Sequence, residues 1–328
     1  MAPLESLSVI IPVYNEQQNI PLLYKAVVSA LQPLKNVWEI IFVDDGSEDD
    51  SLKEMEIVAA QDPDHVRVIE LRRNFGQTAA IAAGFDYAKG DIVIPMDADL
   101  QNDPLDIPLL LQKIEEGYDV VSGWRKNRED PFLTRTLPSL IANWLISAVT
   151  GVHLHDYGCT LKAYRREVIN GFRLYGEMHR FIPVYAASVG ARITEVVVHH
   201  HPRRFGKAKY GLERTLKVIL DLFTVKFLSS YADKPIYLFG GSGLLFIFIS
   251  GIVLLFLFIR RIFYFISPFD SPLFFTSLMF MIFGFQSILM GLIAELLMRT
   301  YHESQGKPTY LVKKVINGSE DIHHTEQP

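Results

Sequence analysis

The stretch Asp91–Gln101, "DIVIPMDADLQ", decides how the rest of the chain is interpreted. An apolar run of strand length leads directly into two aspartates that are one residue apart, Asp97 and Asp99. Carboxylates beside a buried strand are costly unless a cation or hydrogen-bond donors offset their charge. The Asp-x-Asp spacing in an extended segment directs both side chains to the same face. The pattern therefore predicts a strand end that presents two acids to one ligand.

Strand and helix signals alternate along the chain before this stretch. Strands are predicted in "LSVIIPVY", "WEIIFVDDG", "VRVIEL" and "DIVIPMDAD", with helical periodicity in the segments between them. Such alternation is typical of βαβ units and a mostly parallel sheet, so the predicted fold class is α/β. Ligands of these sheets bind beyond the carboxyl ends of the strands. The polar ends "VYNE", "VDDGS" and "MDADLQ" are therefore expected to meet in one crevice.

Two long segments near the C-terminal end of the sequence are apolar throughout. Ile236–Ile259 and Ser271–Leu292 contain no charged residue, and each is long enough to cross a hydrocarbon core of roughly 30 Å. A buried soluble hairpin is the alternative, but these segments lack a polar face, so two transmembrane helices are predicted. The predicted organisation is an α/β domain over 1–210, an amphipathic juxtamembrane helix over 211–234, a transmembrane hairpin over 235–299 and a cytosolic tail over 300–328.

Charge and cysteine content limit the partners and the compartment. A net charge of −5 argues against nucleic-acid binding, and the single cysteine, Cys159, fits a reducing compartment. The first apolar run is too short for a signal peptide and has no basic region before it. Arg260 and Arg261 lie between the two apolar segments, but a larger basic cluster flanks the outer ends, which places both termini in the cytoplasm. That cluster consists of Lys226, Lys234, Arg299, Lys307, Lys313 and Lys314.

The acids after the fourth predicted strand suit a hard cation. Asp97, Asp99 and the side-chain carbonyl of Gln101 would supply the oxygen ligands that Mg²⁺ or Mn²⁺ prefers. Such ions keep several waters and bridge to substrate phosphates. A solvated turn at the strand end is the alternative for this motif taken alone.

Two other strand ends favour a ligand site over a turn. Asp44 or Asp45 can accept a hydrogen bond from a nucleobase N–H or a ribose hydroxyl. Tyr14 can stack on a base, and Glu16 can bind ribose hydroxyls. Three acid-rich strand ends in one crevice would repel one another unless a cation or hydroxyl groups engaged them. A divalent cation that carries a diphosphate is the expected ligand.

Four motifs together resemble glycosyltransferase family 2, which has the GT-A fold. They are "SVIIPVYNE", "IIFVDDGSED", "RNFGQTAAIAAGFDYAKGDIVIPMDADLQNDP" and "GWR". The chain is most similar to membrane-bound polyprenyl-phosphate glycosyltransferases, which include the dolichyl-phosphate mannose synthases and the bacterial bactoprenol glucosyltransferases. The two C-terminal apolar segments fit the bacterial branch. The resemblance implies a Rossmann-like GT-A domain that precedes a membrane hairpin.

The resemblance also implies roles for the residues at matching positions. Nucleotide contacts are implied for Pro12, Tyr14, Glu16 and Asp45. Asp97, Asp99 and Gln101 would surround the metal and the sugar diphosphate. Phosphate contacts are implied for Arg125 in "SGWR" and for Arg204 and Lys209 in "RRFGKAKYG".

The implied reaction is the transfer of one sugar, with inversion, from a nucleotide sugar to undecaprenyl phosphate at the cytosolic face of the inner membrane. The chain lacks the Gln-x-x-Arg-Trp motif of processive synthases, so a single transfer is expected. UDP-glucose is the favoured donor, with mannose, N-acetylglucosamine and modified arabinose as alternatives. Asp156 or Glu177 is the candidate acid that assists catalysis. A homo-oligomer is left open.

Two other classes of function compete with this reaction. A non-catalytic membrane scaffold would bind the nucleotide sugar without transferring it, which leaves the intact "DADLQ" motif unexplained. A dinucleotide-dependent oxidoreductase would carry Gly-x-Gly-x-x-Gly after the first strand, where this chain has "PVYNEQQN". The histidines His199–His201 invite a zinc hypothesis, but adjacent strand residues alternate faces and the sequence offers no third ligand.

Overall fold

The computed structural model describes residues 5–126, 137–169, 174, 178–202, 235–304 and 310–318. The chain divides into two compact units: Met1–Val225 together with Lys307–Pro328, and Lys226–Gly306. The first unit contains a sheet with its helices, and the second contains two long apolar helices. The amphipathic helix expected over 211–234 lies outside the described residues.

One mixed sheet organises the first unit. Its strands, within the described residues, are β1 (Leu7–Val13), β2 (Trp38–Asp44), β3 (Val66–Leu71), β4 (Ile92–Pro95), β5 (Val120–Trp124), β6 (Lys162–Arg165), β7 (Ile193–Val197) and β8 (Val312–Ile316). They lie in the order β7-β5-β6-β4-β1-β2-β3-β8. Strands β1 to β4 are parallel, β5 is parallel to β7, and β6 and β8 run antiparallel to their neighbours. The predicted α/β class with a mostly parallel sheet is confirmed.

Helices connect the parallel strands in the predicted alternation. The α-helices of the first unit, within the described residues, are α1 (Ile20–Leu31), α2 (Ser51–Gln61), α3 (Gln77–Tyr87), α4 (Ile107–Glu115), α5 (Leu137–Thr150), α6 (Arg166–Ile169) and α7 (Ile182–Ser188). In α1 the buried residues Ile20, Leu23, Val27 and Leu31 recur at the spacing of one helix face. β1 is buried along nearly its whole length, as expected of a parallel strand covered on both faces.

The carboxyl ends of three strands lie side by side. β1 lies between β2 and β4, with Val13 paired to Asp44 and Ile10 paired to Pro95. Because these strands are parallel, the segments that follow them leave the sheet at one edge. The three polar segments "VYNE", "VDDGS" and "MDADLQ" therefore start from neighbouring positions, as the sequence predicts.

The strand β8 was not predicted, and it follows both long apolar segments in the sequence. It pairs with β3 and forms an outer edge of the sheet. Tyr310, just before the strand, is 2% exposed, and its hydroxyl donates to Asp86 Oδ2 at 2.6 Å. Lys313, one of the basic residues predicted to flank the membrane, pairs with Glu70 at 2.5 Å. Lysines on an edge strand are common because they discourage pairing with other chains, and here they hide the strand signal.

The second unit is a hairpin of α8 (Pro235–Tyr264) and α9 (Pro272–Ser304). Small residues allow the two backbones to approach closely, since a Cβ built on Gly243 would lie 2.6 Å from the carbonyl oxygen of Gly284. Two turns further along, Ser250 Oγ donates to the carbonyl oxygen of Ser277 at 2.7 Å. The helices are therefore antiparallel and packed through small and hydroxyl-bearing residues.

The outer surface of this hairpin is apolar. Its helices provide two candidate membrane spans, Phe239–Tyr264 and Pro272–Ala294, and only 17% of the most apolar window of each is buried. Phe248 and Phe285, for example, are 65% and 61% exposed. A core helix of a soluble protein would bury such side chains, so these helices match the two predicted transmembrane segments.

Removing the Tyr310 anchor should loosen β8 from β3. Replacing a large buried aromatic side chain with alanine costs about 3–5 kcal/mol. We expect Tyr310→Ala to accelerate hydrogen exchange of the β3 amides by roughly 100-fold or more, since about 1.4 kcal/mol is a factor of ten. Tyr310→Phe is the control, and because it loses one hydrogen bond to the exposed Asp86, it should change exchange by less than about tenfold. Equal protection of β3 in wild type and Tyr310→Ala would contradict the anchoring role.

Candidate active site

The end of β2 carries two buried aspartates. Asp44 is 2% exposed and accepts a hydrogen bond from the backbone N–H of Ser47 at 3.3 Å. Asp45 accepts from the backbone N–H groups of Phe75 at 2.7 Å and Gly76 at 3.0 Å. The pKa of Asp45 is raised to about 6, mainly by burial and also by the charge of Asp44, while the two backbone hydrogen bonds act in the opposite direction. The Asp45 carboxylate is therefore mostly ionised at neutral pH, and it becomes protonated as the pH falls through about 6.

Two glycines permit the backbone contacts around Asp45. Gly46 has a φ of 70°, and a Cβ there would lie 2.5 Å from the carbonyl carbon of Arg73. Gly76 has a φ of 95°, a backbone conformation that residues other than glycine rarely adopt. The turn after β2 and the loop before α3 can therefore pack backbone against backbone, and that loop delivers its amides to Asp45.

The segment after β1 is tied to the segment after β2. Asn15 has a φ of 53°, and its side-chain oxygen accepts from the backbone N–H of Glu48 at 2.7 Å. The left-handed conformation is tolerated by asparagine and turns the chain sharply after the strand. Of the predicted nucleotide contacts, Pro12 in β1 and Tyr14 in this segment are half-buried, and Glu16 is 9% exposed.

Asp97 and Asp99 lie directly after β4. Asp97 is half-buried, whereas Asp99 is 7% exposed and accepts from the backbone N–H of Gln101 at 3.1 Å. Leu100 has a φ of 59°, a strained conformation for a large side chain. Strain of this kind persists where the surrounding structure determines the backbone, and it is enriched at functional sites. The turn at Leu100 brings Gln101 back to Asp99.

Both carboxylate oxygens of Asp97 accept hydrogen bonds from residues that are distant in sequence. Gln77 Nε2 donates to Oδ1 at 2.7 Å, and Thr160 Oγ1 donates to Oδ2 at 2.8 Å. Gln77 is the first residue of α3, and Thr160 lies shortly before β6. Sequence reasoning missed both residues because neither lies in a strand-end motif. The only signal for Gln77 is its place at a helix start in "NFGQT".

The donor set fits a divalent cation that also binds a diphosphate. In the parts of the chain that the structure describes, no group of three or more His, Cys, Asp or Glu side chains is arranged to hold a metal ion. Mg²⁺ sites often use one or two carboxylates, with water and substrate phosphates as the other ligands. Asp97, Asp99 and Gln101 therefore suit an ion that arrives with its substrate.

The consecutive histidines brace the loop that carries Gln101. His199 Nδ1 lies 2.8 Å from Asp106 Oδ1, and His201 Nε2 lies 3.0 Å from Asp103 Oδ2. The backbone N–H of His201 also donates to the carbonyl oxygen of Gln101 at 2.8 Å. The two rings face different carboxylates, so each histidine holds one point of the loop after β4.

Arg125 and Asp156, for which the sequence predicts separate roles, form one ion pair in which Asp156 is buried and Arg125 is half-buried. Arg125 Nε donates to Asp156 Oδ2 at 2.8 Å, and Nη2 donates to Oδ1 at 3.0 Å. Asp156 is 1% exposed, and Gly158 leaves room for the guanidinium. Burial alone would lower the pKa of Arg125, but the charge of Asp156 reverses this, and the net shift is upward. Arg125 is thus a cation held by Asp156, and the charge of Asp97 also contributes to the upward shift of its pKa.

Three residues with predicted roles lie outside the described residues. They are Glu177, Arg204 and Lys209. Their assignments to the acceptor and its phosphate stay predictions.

Known proteins similar to this chain identify the family. The profile of glycosyl transferase family 2 matches residues 8–172. The chain is 41% identical to dodecaprenyl-phosphate galacturonate synthase of Rhizobium johnstonii, over 96% of this chain and 95% of that protein. It is 40% identical to undecaprenyl-phosphate 4-deoxy-4-formamido-L-arabinose transferase of Yersinia pestis, over 99% of this chain and 97% of that protein.

A solved structure shares the fold. It is glucosyl-3-phosphoglycerate synthase from Mycobacterium tuberculosis in complex with Mn²⁺, uridine-diphosphate-glucose and phosphoglyceric acid. The match has a TM-score of 0.50 and 20% sequence identity, and it covers 69% of this chain and 79% of that chain. This likeness supports the GT-A fold alone. The family profile and the two relatives, matched over nearly their whole length, show that the chain belongs to glycosyl transferase family 2.

Proposed function

We propose that this chain transfers one sugar from a nucleotide sugar to a polyprenyl phosphate, with inversion at the anomeric carbon. The observation that carries the proposal is the alignment of three parallel strand ends, which brings Asp45, Asp97 and Asp99 to one edge of the sheet. The names of both relatives specify a polyprenyl phosphate. An apolar membrane hairpin suits an acceptor whose prenyl chain lies in lipid.

The nucleoside would lie across the ends of β1 and β2. Ionised Asp45 accepts a hydrogen bond from a base N–H while it keeps its two backbone donors. Tyr14 supplies a ring for stacking, and Glu16 supplies a carboxylate for ribose hydroxyls. The diphosphate then extends towards β4, the neighbour of β1 on its other side.

Asp97, Asp99 and Gln101 would hold Mg²⁺ or Mn²⁺ beside the diphosphate. When bound, the cation stabilises the negative charge that develops on the departing nucleoside diphosphate. The protein prepares this site by fixing both carboxylates, Asp97 through Gln77 and Thr160, and Asp99 through the backbone N–H of Gln101.

The acceptor needs no strong general base. A phosphate monoester has a second pKa of about 6, so its oxygen is already anionic near neutral pH. That oxygen attacks the anomeric carbon in line, a new C–O bond forms, and the electron pair of the old C–O bond leaves with the nucleoside diphosphate. Arg204 and Lys209 would screen the acceptor charge, and Arg125 would face the phosphates. Asp156 is buried against Arg125, so we assign it to holding that cation, and Glu177 stays the other candidate acid.

The identity of the transferred sugar is proposed from the names of the two relatives. Their names specify galacturonate and 4-deoxy-4-formamido-L-arabinose. We therefore place a uronic acid or a modified arabinose ahead of glucose as the transferred group. The reaction is assigned to the cytosolic face of the inner membrane, because nucleotide sugars are charged and water-soluble.

The direct test uses purified full-length protein in vesicles that contain undecaprenyl phosphate. A mixed pool of nucleotide sugars is added, with and without EDTA, and lipid products are identified by mass spectrometry. One sugar per lipid, formed only when metal is available, is the expected product. Bound nucleotide sugar without a lipid product would favour the scaffold instead.

Asp99→Asn should abolish transfer without unfolding the protein. The amide keeps the shape of the side chain but loses the charge that binds the cation. We expect at least a tenfold loss of rate at saturating Mn²⁺, equivalent to about 1.4 kcal/mol. Asp91→Asn, at the exposed amino end of β4, is the matched control and should keep the wild-type rate. If Asp99→Asn keeps more than about a tenth of the wild-type rate, Asp99 is not a ligand of the cation.

Affinity for the nucleotide sugar should fall as the pH drops through about 6. The pKa of Asp45 is raised to about 6, so its acceptor form dominates above that pH and is lost below it. Calorimetry should show Kd rising roughly tenfold between about pH 7 and about pH 5, because one site loses about tenfold in ionised fraction per pH unit below its pKa. Asp45→Asn should bind weakly with no such slope. A wild-type Kd that is constant over this range would exclude Asp45 as the base contact.

Arg125→Met should destabilise the first unit, because the buried Asp156 carboxylate loses both hydrogen bonds from the guanidinium and the adjacent positive charge. Removing one partner of a buried pair costs about 3–5 kcal/mol. Adding Asp156→Leu removes the second charge and should recover much of the melting temperature. If Arg125 also faces phosphate, the double variant regains stability but not transfer rate. A single variant that melts like wild type would show that the pair contributes little to folding.

A further inference from the structure

The hydrogen bonds to Asp97 come from two parts of the fold that are themselves held firmly. Gln77 opens α3, directly after Gly76, whose left-handed backbone fixes the start of the helix. The N–H groups of Phe75 and Gly76 are bound by Asp45. The same short segment therefore contacts the acid at the end of β2 and the acid after β4.

The segment that carries Thr160 is fixed at both ends. Asp156 is bound by Arg125 through two hydrogen bonds. On the other side, the ammonium group of Lys162 donates to the carbonyl oxygen of Tyr157 at 3.3 Å and to that of Cys159. Lys162 is 2% exposed, and burial lowers its pKa. Burying a lysine ammonium group costs free energy unless hydrogen bonds replace its water. Here the carbonyl oxygens that accept from Lys162 supply those bonds, and they set the path of the chain into Thr160.

We propose that Gln77 and Thr160 are positioning residues that orient the Asp97 carboxylate for the divalent cation; this inference rests on the proposed function. Each donor occupies one lone pair on one oxygen, so the plane of the carboxylate is fixed from both sides. The remaining lone pairs are then available to an ion in the crevice. Ligands held in this way bind metal more tightly, since removing such outer partners typically costs 10–100-fold in metal affinity or activity.

A purely structural role makes a different prediction from a positioning role. If the two hydrogen bonds served only folding, their loss would lower the melting temperature and leave metal affinity unchanged in the folded protein. Asp97 is half-buried, as are Gln77 and Thr160, so removing one donor does not expose a core. The metal-binding measurement therefore separates the two roles.

The experiment compares Thr160→Val, which keeps the shape but lacks the hydroxyl, with Thr160→Ser, which keeps the hydroxyl. Gln77→Leu tests the other donor. Binding of Mn²⁺ alone, and then with added UDP, is followed by electron paramagnetic resonance on the full-length protein, with Asp99→Asn as the reference for a lost site. Melting temperatures are recorded for every variant.

We expect Thr160→Val and Gln77→Leu each to weaken Mn²⁺ binding by roughly 10–100-fold. Thr160→Ser should stay within about threefold of wild type, and the Mn²⁺ concentration for half-maximal turnover should shift in parallel with the measured affinity. Both residues act on one carboxylate, so the double variant should lose less than the product of the two single effects.

Three results would overturn the inference in distinguishable ways. Wild-type Mn²⁺ affinity in folded Thr160→Val and Gln77→Leu, with Asp99→Asn still defective, would reject the positioning role and keep the metal site. A Thr160→Ser variant as weak as Thr160→Val would show that the hydroxyl is not the active group. Absence of Mn²⁺ binding by the wild type, together with turnover that resists EDTA, would reject the metal in the proposed function as well.

Discussion

The parallel pairing of β1 with both β2 and β4 is the constraint on which the site depends. This pairing places the ends of three strands side by side, although Asp45 and Asp97 are 52 residues apart along the chain. The register leaves Asp45 and Asp97 on either side of the β1 end. Neither acid would be useful alone, because a nucleotide sugar needs contacts at its base and at its diphosphate.

Gathering carboxylates in a half-buried crevice carries an electrostatic penalty, and the chain offsets it with fixed donors. Backbone N–H groups donate hydrogen bonds to Asp45, side chains donate to Asp97, and a backbone N–H donates to Asp99. The segment Phe75–Gln77, at the start of α3, donates to both Asp45 and Asp97. Donors held on rigid elements change little when a ligand binds, which is the arrangement that favours catalysis by preorganisation.

The strands β1 to β4 and their helices could be predicted from the sequence because each has strong local periodicity. The strand-end acids were also predictable, since each follows its strand directly. The contacts of Gln77 and Thr160 with Asp97 were not, because they join residues that only the tertiary fold brings together. The pair Arg125–Asp156 was missed for the same reason, and β8 was missed because Lys313 and Lys314 interrupt its apolar pattern.

The position of β8 in the sequence has a consequence for biosynthesis. Domains generally begin to fold as they leave the ribosome, yet the strand that covers β3 is made only after both hairpin helices. Until then the nascent sheet has an open edge, and an open edge is a template for pairing with other chains. Covering β3 requires Val312–Ile316 to return to the sheet after the two long helices have been made. A nascent chain that has not yet made β8 therefore keeps the edge of β3 exposed to chaperones and proteases, and the sheet is completed only after the whole hairpin has been synthesised.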